Sequence, residues 1–198
     1  MIDKFIERCV SFMVKKGAVP DIEDQREIYI YGLELQIYYI INATVLLAIG
    51  FLFGHIVEVA LMLFLFGVIQ SNGGGYHANT HTKCLFYMIV GVFVFLLLLP
   101  IYQDHILLQL LSVLGGATTV LCLAPVAHKN HTLSPTLSKK MGNRAKVYTC
   151  VLASSWCLLL IIDMLQITQS VIALVLGFTG ISMIAAKKAK TNYTIPPK

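Results

Sequence analysis

Six apolar runs constrain this chain more than any other feature: Gln36–Gly54, Ile56–Gln70, Leu85–Tyr102, Ile106–Ala127, Val147–Ile167 and Ser170–Ala186. A helix rises about 1.5 Å per residue, so about 20 residues cross a hydrocarbon core roughly 30 Å thick. Four of the runs reach that length, and the second and sixth are shorter. Hydrophobic residues make up 57% of the 198 and charged residues only 13%, about half the charged share of a soluble domain. The expected fold is therefore an all-α polytopic membrane protein with about six transmembrane helices. The second run is the weakest, because it carries Glu58 and meets the first at Gly54–His55. One long helix or a re-entrant pair is the alternative there. Gly50 and Gly54, four apart, allow close approach of a neighbouring helix, which is compatible with a homodimer.

The basic residues test the count of spans. All 15 Lys and Arg fall in alternate polar segments: Lys4 to Arg26, then Lys83, then Lys129 to Lys146, then Lys187 to Lys198. The intervening turns at Gly54–His55, Gln103–His105 and Gln166–Gln169 contain none. The positive-inside rule then puts both termini and the Ser71–Cys84 and His128–Lys146 loops on the cytoplasmic side of the cell membrane. Five spans would place basic loops on both faces.

The chain reads as a single integral membrane domain, 1–198, in three parts. Residues 1–35 are an amphipathic segment in which Ile2, Phe5, Ile6, Cys9, Val10 and Met13 recur at helical spacing, as expected for an interfacial helix. Gly17 and Pro20 end that helix, and Asp21 or its acidic neighbours cap the next. Residues 36–186 are the transmembrane bundle, and 187–198 form a basic cytoplasmic tail whose Thr191–Lys198 stretch is expected to be disordered. Charges interrupt residues 1–16, so no secretory h-region is expected. The net charge of +5 is spread over separate loops rather than one polar face, which argues against nucleic acid as a partner. Five cysteines without a CxxC pair argue against a disulfide framework.

Chemistry concentrates in Gln70-Ser71-Asn72-Gly73-Gly74-Gly75-Tyr76-His77-Ala78-Asn79-Thr80-His81-Thr82-Lys83-Cys84. A thiol of pKa about 8.5 is only slightly ionised at neutral pH, so a cysteine nucleophile needs a neighbour that takes its proton. His77 and Cys84 are seven apart, on one face of a continuous helix or within reach across a bent loop. His81 lies between them, and spacing alone does not choose between the histidines. The glycines permit positive φ and expose N–H groups able to hold an oxyanion; the plainer reading is a turn between two spans. His77, His81 and Cys84, with His128 and His131, also have the ligand types of a zinc site. No carboxylate lies near to act as base, and Lys83 opposes a cation, so neither metal nor other cofactor is expected.

Gly74-Gly75-Tyr76-His77-Ala78 followed by Cys84, with Ala124-Pro125-Val126 and Asn130 downstream, resembles the accessory gene regulator B (AgrB) family. The length, span pattern and amphipathic N-terminus agree, so the resemblance covers essentially the whole chain. It implies a membrane cysteine endopeptidase of quorum sensing, with Cys84 as nucleophile and His77 as base. The implied substrate is a short AgrD-like autoinducer propeptide with an acidic C-terminal tail. Cleavage through a Cys84 acyl-enzyme and closure of a thiolactone or lactone follow from that implication. Where some members carry arginine before the glycines, this chain has Gln70, Ser71 and Asn72. Gln70, Asn72, Gly74 and Gly75 are the candidates for supporting the loop and the oxyanion.

Lys129, Lys139, Lys140 and Arg144, together with Lys146, have two readings. Each attracts anionic lipid with roughly 1 kcal/mol near the surface, and under the resemblance they also attract the acidic propeptide tail. Glu58 and Asp163 are ionisable groups within spans, functional by default unless they sit at wet span ends. They keep open a small transporter or exporter as a rival function; a noncatalytic membrane scaffold is the third. Trp156 reads as packing or interfacial anchoring.

Overall fold

A computed structural model describes residues 2–17, 23–76, 80–126, 134–162 and 165–191. All the secondary structure among them is helical: α1 (Ile2–Lys15), α2 (Glu23–Leu52), α3 (Ile56–Gly73), α4 (His81–Asp104), α5 (Ile106–Leu123), α6 (Pro135–Ile162) and α7 (Gln166–Thr191). Helices α2 to α7 are each long and apolar enough to cross a membrane. The chain is thus a polytopic all-α membrane protein, as the apolar runs predict. The expected tail beyond Thr191 lies outside the described residues.

The structure divides into two compact units, residues 1–46 and 47–198. In the first, α1 buries Ile6 and Val10 and leaves Glu7 and Arg8 exposed. Gly17 ends it at φ +70°, a conformation that costs glycine nothing. Arg26 of α2 donates to Ser11 Oγ of α1 at 3.0 Å.

The second unit takes in the end of α2, from Leu47, and α2 and α3 are separate helices. The chain reverses at Gly54, φ +74°, and His55 N–H donates to the Gly50 carbonyl at 2.8 Å. A side chain on Gly50 would meet Val59 Cβ at 2.9 Å. Gly50 therefore packs against α3 of its own chain, while Gly54 forms the turn; a homodimer draws no support from this pair.

Helices α5 and α7 run parallel and approach most closely through small residues. A Cβ on Gly116 would strike the Leu176 carbonyl, and one on Gly177 would meet Ser112. In lipid, where apolar burial drives little association, such backbone proximity supplies the packing. At the end of this pair where α5 and α7 begin, the Gln109 amide ties four helices together. Its Nε2 donates to the Tyr102 carbonyl at 2.6 Å and to Ser170 Oγ at 3.3 Å. Its Oε1 accepts from Trp156 Nε1 at 2.9 Å. Gln109 and Trp156 are each only 2% exposed, so Trp156 is a hydrogen-bonded core residue, not an interfacial anchor.

Helices also run further than the apolar runs. Residues 135–146, expected as loop, form the first turns of α6. Ser134 caps them, accepting from Leu137 N–H at 3.4 Å, and Pro135 takes the first helical position, where its missing N–H costs nothing. This Ser-Pro start was legible in the sequence and outweighs the charge of Lys139, Lys140, Arg144 and Lys146. Similarly, Lys187 and Lys188 belong to α7.

Candidate active site

The glycine segment begins where α3 stops. Its three glycines do three different things. Gly73 is the last helical residue, and a Cβ there would meet Met183 Cε of α7 at 2.5 Å and Ala145 Cβ of α6 at 3.1 Å. Gly74 turns the chain at φ 76°, ψ 172°, a region essentially reserved for glycine. A Cβ on Gly75 would strike the Gln70 amide.

Two distant parts of the chain hold this segment. Val126, in the connection after α5, donates its N–H to the Gly73 carbonyl at 2.9 Å, and its own carbonyl lies where a Gly74 Cβ would stand. Ser182 Oγ of α7 accepts from Gln70 Nε2 at 3.0 Å and from Tyr76 N–H at 3.1 Å. Gly142 of α6 leaves room for the Pro125 ring. The Ala-Pro-Val stretch noted in the sequence therefore docks on the glycines, a role the motif did not reveal.

The N–H groups divide unequally. Gly74 donates to the Gln70 carbonyl at 2.9 Å and Tyr76 to Ser182, whereas the Gly75 N–H has no acceptor among the described residues. Expected exposure of several N–H groups thus narrows to one candidate donor. Of the expected loop supports, Gln70, Gly74 and Gly75 come together. Asn72 does not join them: its Nδ2 turns back to the Val68 carbonyl at 2.9 Å and to Ser71 Oγ at 3.3 Å.

Cys84 lies in the first turn of α4. Thr80 is extended at φ −138°, ψ 148° and caps the helix by accepting from Lys83 N–H, at 3.3 Å; Cys84 N–H donates to the Thr80 carbonyl at 3.0 Å. The helix begins at His81, so no continuous helix runs from position 77 to Cys84, and the shared-face arrangement is excluded. His81 and Cys84 are both half-buried, and all five cysteines are free of disulfides. A helix N-terminus favours a negative charge such as a thiolate.

The glycine segment also reaches the cysteine's helix. The Tyr76 ring meets Tyr87 edge-on, with centroids 5.9 Å apart and planes at 80°. Tyr76 immediately precedes His77, and Tyr87 follows Cys84 by three residues, one helical turn. His77 itself lies outside the described residues, as do Lys129, Asn130, His128, His131 and Asp163. Lys139, Lys140 and Arg144 are exposed on α6, the helix whose Gly142 and Ala145 pack against Pro125 and Gly73. Glu58 is three residues beyond His55, with Oε1 3.5 Å from its Nδ1, at the opposite end of α3 from the glycines.

No curated protein and no solved structure matches this chain. Residues 6–185, however, match the family model described as Accessory gene regulator B. With that match and its six apolar helices, this chain belongs to the AgrB family, multi-pass membrane proteins involved in processing the peptide of accessory gene regulator quorum sensing.

Proposed function

We propose that the chain is a membrane cysteine endopeptidase, acting as one domain, that cleaves an AgrD-like autoinducer propeptide with an acidic C-terminal tail. Cys84 is the nucleophile and His77 the base. The observation that carries this reading is the Tyr76–Tyr87 contact, because it joins the residue before His77 to the helix that carries Cys84, one turn beyond the cysteine.

His77 takes the thiol proton, and the Cys84 sulfur attacks the carbonyl preceding the acidic tail. The Gly75 N–H is the donor for the resulting oxyanion, with Gln70 and Gly74 holding its backbone. Collapse breaks the peptide bond, His77 returns the proton to the departing amine, and the remaining propeptide stays on Cys84 as a thioester. The propeptide's own thiol or hydroxyl then displaces Cys84 and closes the thiolactone or lactone. Exchange between thioesters is roughly isoenergetic, and a tethered nucleophile has a high effective concentration, so ring closure needs no ATP.

The basic residues bear on orientation and substrate. Lys139, Lys140 and Arg144, with Lys129, attract the acidic tail and anionic lipid on the cytoplasmic side of the cell membrane, where both termini and the catalytic loop lie. The test is purified protein in vesicles with synthetic propeptide. An intermediate attached at Cys84, released by hydroxylamine and absent in Cys84→Ala, is the expected result. Cleavage by Cys84→Ala would refute the proposal.

A further inference from the structure

Membrane helices ordinarily satisfy a hydroxyl on their own backbone four residues back. Thr44, Thr118, Thr119, Ser155 and Thr179 all do so here. Ser182 is used differently. Its Oγ accepts from Gln70 Nε2 at 3.0 Å and from Tyr76 N–H at 3.1 Å, residues separated from it by 112 and 106 positions. It bridges the last turn of α3 to the far side of the glycine turn, so the two ends of the Gly73–Gly75 bend share one acceptor. The Gln70 amide is pressed against Gly75, where a Cβ would collide with it.

We propose that Ser182 is a positioning residue for the reaction: its hydroxyl on α7 holds the backbone of Tyr76, the residue from which the chain passes to His77. The inference rests on the reading of His77 and Cys84 as the catalytic pair. Tyr76 is the residue before His77, and its N–H is held by Ser182. Without the hydroxyl, two donors lose their acceptor at once. The Gln70 bond is partly buried and the Tyr76 bond exposed; the partly buried amide is the costly one to leave unpaired, so Gln70 turns away and the segment pressed against it shifts. Gly74 and Gly75 give it little resistance to doing so. The substitution removes neither the Cys84 thiol nor the His77 imidazole, so its effect on the reaction runs through the backbone that Ser182 holds.

The test compares Ser182→Ala, Ser182→Thr, His77→Ala and, as a control, Ser155→Ala, in full-length protein in vesicles. Two quantities are read: propeptide cleavage, split into kcat and KM, and the rate at which iodoacetamide alkylates Cys84 at pH 7, followed by peptide mass spectrometry. Ser182→Ala is expected to lower kcat at least tenfold with KM little changed, and to slow Cys84 alkylation toward the His77→Ala rate. Ser182→Thr, which keeps the hydroxyl, restores both, and Ser155→Ala matches the wild type. Wild-type alkylation in Ser182→Ala overturns the inference, whether or not cleavage falls; equal loss in the Ala and Thr variants also overturns it. If His77→Ala itself leaves Cys84 alkylation unchanged, the peptidase reading has failed instead, and the two failures are told apart.

Discussion

The Tyr76 ring stands edge-on to Tyr87, with centroids 5.9 Å apart, and this pair joins the glycine segment to the helix that carries Cys84. An edge-to-face aromatic pair contributes about 0.5–1.5 kcal/mol beyond its buried area. Tyr87→Ala should therefore reduce propeptide cleavage several-fold, up to about tenfold, since about 1.4 kcal/mol corresponds to a factor of ten. Tyr87→Phe keeps the ring and should retain nearly full activity. Steady-state cleavage by both variants decides; equal losses would mean the phenolic hydroxyl, not the ring contact, is what matters.

Cys84→Ala should abolish cleavage while the protein remains inserted and monodisperse in detergent. Cys84→Ser should be nearly as inactive, because a hydroxyl is much harder to ionise than a thiol. His77→Ala should lose almost all turnover at pH 7 and recover part of it at pH 9, where a thiol of pKa about 8.5 is mostly ionised unaided. His81→Ala should keep most activity at both. If the two histidine variants are equally impaired and a chelator silences the wild type, a metal site replaces the base mechanism.

Glycine positions separate turn from helix. Gly74→Ala forces a Cβ into a positive-φ residue and against the Val126 carbonyl, so cleavage should fall at least tenfold. Gly67→Ala, on a helix face with open space, should leave cleavage intact and raise stability slightly, since alanine in a helix interior is favoured by up to about 1 kcal/mol. Comparing cleavage and thermal unfolding for the two variants checks both statements.

The Gln109 network should be a stability element. Gln109→Leu removes the acceptor of the Trp156 indole N–H and leaves that buried donor unpaired, which costs about 1–3 kcal/mol. The expected readouts are a lower unfolding temperature in detergent and altered fluorescence of Trp156, the chain's single tryptophan. An unchanged unfolding temperature would show that the network contributes nothing net.

Orientation is open to direct labelling. In protein whose native cysteines are replaced, a cysteine at Asp104 should react with an impermeant reagent on intact cells, and one at Lys139 should be protected until the membrane is opened. The reverse pattern would invert the proposed topology.

The sequence by itself determined the number of apolar spans, the all-helical class and the family resemblance, because each is written locally. Hydropathy over about 20 residues reports the solvent, and Gly74-Gly75-Tyr76-His77-Ala78 with Cys84, which carries the resemblance, lies within one short segment. Periodicity could not say which face of each span turns inward. Exposed Phe64, Leu97, Leu107 and Ile161 are as apolar as buried Phe95 and Leu99, since lipid and protein interior are alike to such side chains. Only tertiary structure therefore decided that Ser182 and Val126 hold the glycine turn, that Gly116 meets Leu176, and that Trp156 is buried on Gln109. Each of those partnerships joins residues far apart in the chain, and a hydrogen bond or a missing Cβ acquires its meaning only when packing brings the other partner within a few ångströms.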